Sequence, residues 1–149
     1  MRIGIVSDLH GRVPAALHDE FRSVDRILCA GDVGRQDVLW ELETIAPVIC
    51  VAGNNDWSIP KLPQSSNFTL GGVHFFMTHI PKFRLVPAED VDVVIYGHTH
   101  IPQDEVRNGV RYLNPGSARQ PRGGSEPSCM RADVADGKLI NVQLVTLPY

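Results

Sequence analysis

Asp8 and His10, Asp32, Asn54, His79, and His98 with His100 carry the oxygen and imidazole donors that bind hard or borderline metal ions. They fall at five separate places along the chain. Each place follows an apolar, β-branched run: Arg2–Val6, Arg26–Cys29, Val48–Val51, Val73–Met77 and Val91–Ile95. Such runs read as strands. Strands that each deliver a donor at the carboxyl end can converge on one crevice, and in open α/β sheets that edge is where sites are built. Asp8-Leu9-His10 and His98-Thr99-His100 place two donors two residues apart. In an extended strand end both would point the same way and reach one ion. Gly31 ahead of Asp32 allows close backbone approach at a crowded site, and the Asn54 amide oxygen is a neutral ligand.

Taken singly these signals are weak. His79 alone, on an apolar strand, reads as a hydrogen-bonded core histidine, and His18 and His74 keep that reading. The order and spacing of the whole set make the signal specific. Around it, the first half of the chain alternates strand and helix. Pro14 suits a first helical position because its missing N–H would be unpaired there. A second helix spans about Gln36 to Ile45, with Val38, Leu39, Leu42 and Ile45 on one face, until Pro47 stops it. Strands separated by helices predict a parallel sheet. The second half changes to hairpins, at Gly71-Gly72, Asn108-Gly109 and Asp136-Gly137. The expectation is one domain, 1–149, with two packed sheets.

Composition narrows the class. A chain of 149 residues buries about 68–70% of its unfolded surface, so it needs no disulfides. Its formal net charge of -3 argues against a dedicated nucleic-acid binder, which usually carries a basic excess. Cys29, Cys50 and Cys129 form no CxxC pair and read as small buried hydrophobes. Asp8 interrupts the short apolar start, which argues against a signal peptide. No apolar stretch reaches membrane-spanning length. A cytoplasmic location is the simplest expectation.

Asp8-x-His10, Gly31-Asp32, Gly53-Asn54-x-Asp56, Thr78-His79 and Gly97-His98-Thr99-His100 together resemble the signature of the calcineurin-like metallophosphoesterase superfamily. Asn114-Pro115-Gly116-Ser117 and Pro121-Arg122-Gly123-Gly124 are similar to its small YfcE-type phosphodiesterase branch. The resemblance implies a four-layer α/β/β/α sandwich of two mixed sheets, the metallo-dependent phosphatase-like fold. It also implies two divalent metal ions. Asp8, His10 and His100 would hold one, Asn54, His79 and His98 the other, and Asp32 would bridge them. Manganese leads among Mn, Fe, Ni, Co and Zn, since imidazole and carboxylate donors without thiolate suit these ions. Two such ions about 3.5–4 Å apart generate hydroxide near neutral pH and neutralise phosphoryl charge.

Two departures stand out. Many members carry a histidine after the motif asparagine, a candidate acid for the leaving group. This chain has Asn55, which donates a hydrogen bond but is no general acid. Ile80 and Pro81 follow His79 where glycine is common, which would reshape the pocket mouth. Asn55 and Asp56 are the candidate catalytic positions beside the metals, with Asp56 read equally as a support that orients a ligand or a backbone turn from behind, or as a turn aspartate capping its own loop. Arg119 and Arg122 read as substrate-phosphate contacts or as solvated arginines, and Lys82 and Arg84 as solvated. The expected partner is a small phosphoester, with no membrane or nucleic acid, and a homo-oligomer is left open. The contrasting reading is a metal-binding interaction scaffold with little or no catalysis. A nuclease, the third reading, lacks the basic balance.

Overall fold

The computed structural model describes residues 1–81 and 90–148, so Lys82 and Arg84 lie outside the described residues. Strand β1 (Arg2–Val6) leads to helix α1 (Ala15–Glu20), β2 (Arg26–Cys29), α2 (Gln36–Glu43) and β3 (Val48–Cys50). There follow β4 (Ser65–Leu70), β5 (Val73–Thr78), β6 (Val93–Ile95), β7 (Gln103–Arg107), β8 (Val110–Asn114), β9 (Ser128–Ala135) and β10 (Lys138–Thr146). The first sheet has the order β10-β9-β1-β2-β3 and the second β4-β5-β6-β8-β7.

The expected alternation of strand and helix appears as parallel pairing of β1 with β2 and of β2 with β3. Helices α1 and α2 make the crossovers, because parallel neighbours need a connection long enough to return the chain to the same end. Pro14 caps α1, and α2 ends at Glu43, two residues short of Ile45. The hairpins form where Gly71-Gly72, Asn108-Gly109 and Asp136-Gly137 stand. Both turn residues of each have positive φ, which matches the right-handed twist of the flanking strands. Two pairings depart from the antiparallel expectation for the second half: β6 lies parallel to both of its neighbours, β5 and β8. Local turn chemistry specifies the β7–β8 hairpin, but not which strand β8 meets on its other side.

Period-two alternation assigns each strand two environments. Ile3, Ile5 and Leu28 face Phe75, Met77 and Ile95 in the layer between the sheets. Val6 and Cys29 point the other way, into a cluster with Leu17, Phe21, Val38 and Leu42 from the two helices. The outer face of the second sheet carries a smaller cluster around Phe76, Val94, Tyr96 and Tyr112. Among the described residues no helix covers that face. All three cysteines are free, and Cys29 and Cys129 are buried as small apolar groups. Burial pushes the Cys129 thiol up to about 12. Among the described residues no helix is long and apolar enough to cross a membrane.

Candidate metal centre

The strands deliver their donors by turning sharply rather than by staying extended. Asp8, His10, Asp32, His98 and His100 all have φ between 48 and 72°, the left-handed region that Asp and His visit more readily than most side chains. This corrects the expectation that Asp8 and His10 share a side as alternate residues of an extended end. The chain leaves the sheet at once, Leu9 goes into the core, and the flanking donors swing over the sheet edge. The turns are fastened to each other. Asp8, His10 and Gly11 donate their backbone N–H groups to the carbonyls of Gly31, Asp32 and Val33 at 2.8–3.0 Å. Gly97 N–H donates to the His79 carbonyl at 3.0 Å.

Close approach depends on glycines: a Cβ on Gly31, as expected, would lie 2.8 Å from Gly53 N and 2.9 Å from His79 Nδ1, and two others face the carboxylates. A Cβ on Gly53 would lie 2.1 Å from Asp32 Oδ1, and one on Gly97 would lie 2.1 Å from Ser7 Oγ and 2.8 Å from Asp8 Oδ2. No side chain fits at either position while the carboxylates stay in place.

Two groups of donors result. Asp8, His10 and His100 form one, and Asp8, Asp32 and His79 the other, each with ligand atoms within 4.8 Å of one another. His100 Nε2 lies 3.2 Å from Asp8 Oδ1 and 3.1 Å from His10 Nε2. Asp32 Oδ2 lies 3.3 Å from His79 Nε2 and 3.7 Å from His10 Nε2, between the two groups. His98 stands edge-on to His79 with ring centroids 5.3 Å apart, and its backbone N–H donates to Asp8 Oδ2. Asn54 is exposed and lines the same cavity as His79. Five of the seven expected ligands therefore meet directly, with His98 beside His79 and Asn54 at the cavity they border.

The surroundings prepare these atoms for cations. Asp8 is fully buried, and its Oδ2 accepts from Ser7 Oγ at 2.7 Å and from His98 N–H, while Oδ1 has no hydrogen-bond partner. His79 Nδ1 faces the Ala30 carbonyl at 2.7 Å, and His100 Nδ1 faces the Gln120 carbonyl. A carbonyl accepts only, so Nδ1 carries the proton and Nε2 turns its lone pair inward. His79 Nε2 is itself buried and without a partner. Orphaned carboxylate and imidazole atoms aimed into one space are costly unless a cation fills it. The donors present thus fit divalent metal ions. Burial alone would raise the Asp32 carboxyl pKa, but the His79 side chain and the N–H groups of Asn55 outweigh it and hold it well below the usual range. Burial pulls the His79 imidazole down, yet the Asp32 and Asp8 carboxylates push it further the other way, so it ends above the usual value.

The residues expected at catalytic positions beside the metals also brace the site. Asn55 donates its backbone N–H to Asp32 Oδ1 at 2.9 Å and its amide to Oδ2 at 3.0 Å. Asp56 is buried and accepts from Gly34 N–H at 2.9 Å and Gly53 N–H at 2.7 Å, tying the loop of Asp32 to that of Asn54. The Arg119 guanidinium donates to the His10 carbonyl at 2.7 Å and holds that turn. Arg122 is exposed. Ser7, Ser117 (whose hydroxyl donates to the Asp8 carbonyl at 2.7 Å) and Asn114 (whose amide holds Gly97 and Thr99) complete the scaffold. Ser7 has no signal of its own in the sequence, whereas Asn114 and Ser117 lie in a motif already singled out.

A family model described as the calcineurin-like phosphoesterase superfamily domain matches residues 1–137. A probable metallophosphoesterase from Methanothermobacter thermautotrophicus is 36% identical, over 97% of this chain and 92% of its own length. Phosphodiesterase YfcE from Escherichia coli is 30% identical, over 86% and 85%. A solved archaeal phosphodiesterase superposes with a TM-score of 0.80 at 25% identity, covering 99% of this chain and all of that one, 100%. The chain belongs to the calcineurin-like phosphoesterase superfamily. It has that superfamily's pair of mixed sheets and an Asp/His cluster suited to metal.

Proposed function

We propose that this protein hydrolyses small phosphodiesters at a centre of two divalent metal ions, manganese foremost. The observation that carries the reading is the pair of donor groups that share Asp8, with Asp8 Oδ1 and His79 Nε2 left unpartnered between them. Asp8, His10 and His100 would hold one ion. Asn54, His79 and His98 would hold the other, with Asp32 reaching both, as its position between His10 and His79 supports. Such ions withdraw charge from phosphoryl oxygens and acidify water. The chain's own part is positional. Asn55 clamps Asp32, Ser7 and the His98 N–H orient Asp8, and the Ala30 and Gln120 carbonyls set the imidazole tautomers. Three unpaired thiols suit a reducing compartment, and we place the protein in the cytoplasm.

Metal analysis combined with a diester assay tests this reading. The purified protein is expected to hold two equivalents of metal and to cleave bis(4-nitrophenyl) phosphate. Chelation should remove both metal and activity, and added manganese should restore them. A folded, metal-free protein that stays inactive with manganese would establish the scaffold reading in its place.

A preference for leaving groups that need little protonation follows from Asn55. Its amide is engaged with Asp32 and has no proton to give a departing alkoxide. Rates on aryl methyl phosphates should therefore fall steeply as the leaving-group pKa rises. A series of phenols of graded acidity measures this slope, and a flat dependence would contradict it.

A further inference from the structure

A cavity of about 770 Å³ opens from the metal centre at Asn54 and His79 and extends away from the other donors. Its floor is the β4–β5 pair, where Asn67 stands opposite Phe76 and Ser65 opposite Thr78. Residues directly opposite on antiparallel strands share a face, so these four present one surface. The facing wall comes from the segment after β3, with Ile59 and Leu62 apolar and partly or fully buried. Trp57 stands at the rim and is 89% exposed, and Ile80, also in the lining, is 37% exposed. Of the functional groups already described, only Asn54, Asp56 and His79 reach this space.

The lining has little charge to offer. No lysine or arginine lines the cavity among the described residues. The Asp56 carboxylate has both oxygens committed to backbone N–H groups. Among the described residues a second phosphate or a carboxylate would meet no counter-charge here, whereas a neutral group would be desolvated at low cost. The exposed indole of Trp57 offers a flat apolar face of the kind on which planar rings stack. The amides of Gln64 and Asn67 make no hydrogen bond among the described residues. Each has donors and an acceptor free for the edge of a heteroaromatic ring. A plain alkyl chain would use neither feature.

Resting on the phosphodiesterase reading, we propose that this cavity receives one alcohol arm of the diester, and that this arm is a nucleoside, its base covered by Trp57 and edged by Gln64 and Asn67. The substrate class is then small nucleotide diesters. Trp57 acts as a specificity-determining residue and not in the chemical step.

The test compares adenosine 5′-monophosphate with ribose 5-phosphate, in which an anomeric hydroxyl stands in place of the base. Binding of each to the manganese-loaded protein is measured by calorimetry, so that turnover is not required. Adenosine monophosphate is expected to bind about tenfold or more tighter, the worth of one base–aromatic stack. Trp57→Ala should bring the two ligands to similar affinity, and Trp57→Phe should restore most of the difference. Trp40→Ala, which removes the exposed tryptophan of α2, should leave the difference intact. Equal affinities in the wild-type protein, or a difference that survives Trp57→Ala, would overturn the proposal even if diesters are cleaved. A base-dependent difference in a protein that cleaves no diester would keep the nucleoside cavity and remove the hydrolytic reading instead.

Discussion

Asp32→Ala is expected to lower kcat for diester hydrolysis by about a thousandfold or more, the equivalent of several kcal/mol of transition-state stabilisation. Asp32 Oδ2 is the carboxylate oxygen that lies between the His10 and His79 rings, 3.7 and 3.3 Å from their Nε2 atoms. Among the described residues, its removal takes away the only acidic group placed to stand between the two donor groups other than Asp8, which Ser7 and His98 already hold. The carboxyl is kept ionised by His79 and Asn55 despite its burial, so the wild-type group is a ready anion at neutral pH. The fold should survive. Asn55 is exposed, and its freed N–H groups can turn to water, so the metal-free variant should lose only about 1–3 kcal/mol, the worth of hydrogen bonds to a charged group. Kinetics, metal content and melting of the metal-free proteins measure these three effects separately. Full turnover by the variant would sink the assignment.

Gly97→Ala should strike stability and activity together. The added methyl would sit 2.1 Å from Ser7 Oγ and 2.8 Å from Asp8 Oδ2, and both partners are fully buried. Neither is the free end of a flexible chain. Ser7 is fixed by its bond to Asp8, and Asp8 by its own bonds and by Ser117 on its carbonyl. Forcing a methyl into such a place costs about 1–3 kcal/mol and occasionally more. The displaced carboxylate belongs to both donor groups, so metal content should fall as well. Denaturant unfolding gives the stability change. The double variant Ser7→Gly with Gly97→Ala removes the nearest obstacle and should recover much of the stability while staying poor in metal, since Ser7 Oγ no longer orients Asp8. A single Gly97→Ala variant with wild-type melting and metal content would show that the two loops do not need this contact.

These two cases separate what is local from what is not. Apolar β-branched runs and Asn-Gly, Asp-Gly and Gly-Gly pairs carry their own conformational preferences, so the strands, the two helices and the three hairpins are legible residue by residue. The donors are legible too, because each follows such a run. The pairing of β8 with β6 is not, since it depends on which edge is free once the rest has assembled. The roles of Asn55, Asp56 and Arg119 were likewise hidden. Their chemistry suits substrate contact as well as bracing, and only the folded positions of Asp32, Gly34, Gly53 and the His10 carbonyl show the bracing contacts.

By itself, the sequence determined which side chains could bind metal and that each would stand at the carboxyl end of a strand, because side-chain chemistry and strand patterning act over a few residues. Tertiary structure alone decided that Asp8 and His10 leave the sheet in left-handed turns, that Asp8 Oδ1 and His79 Nε2 face each other unpartnered, and that a cavity with Trp57 at its rim adjoins them. The reason is distance along the chain. His10 and His100 are 90 residues apart, and Asp8 is bound by groups 90 and 109 residues away. Contacts of that span exist only after the two sheets have packed, and no local rule encodes them.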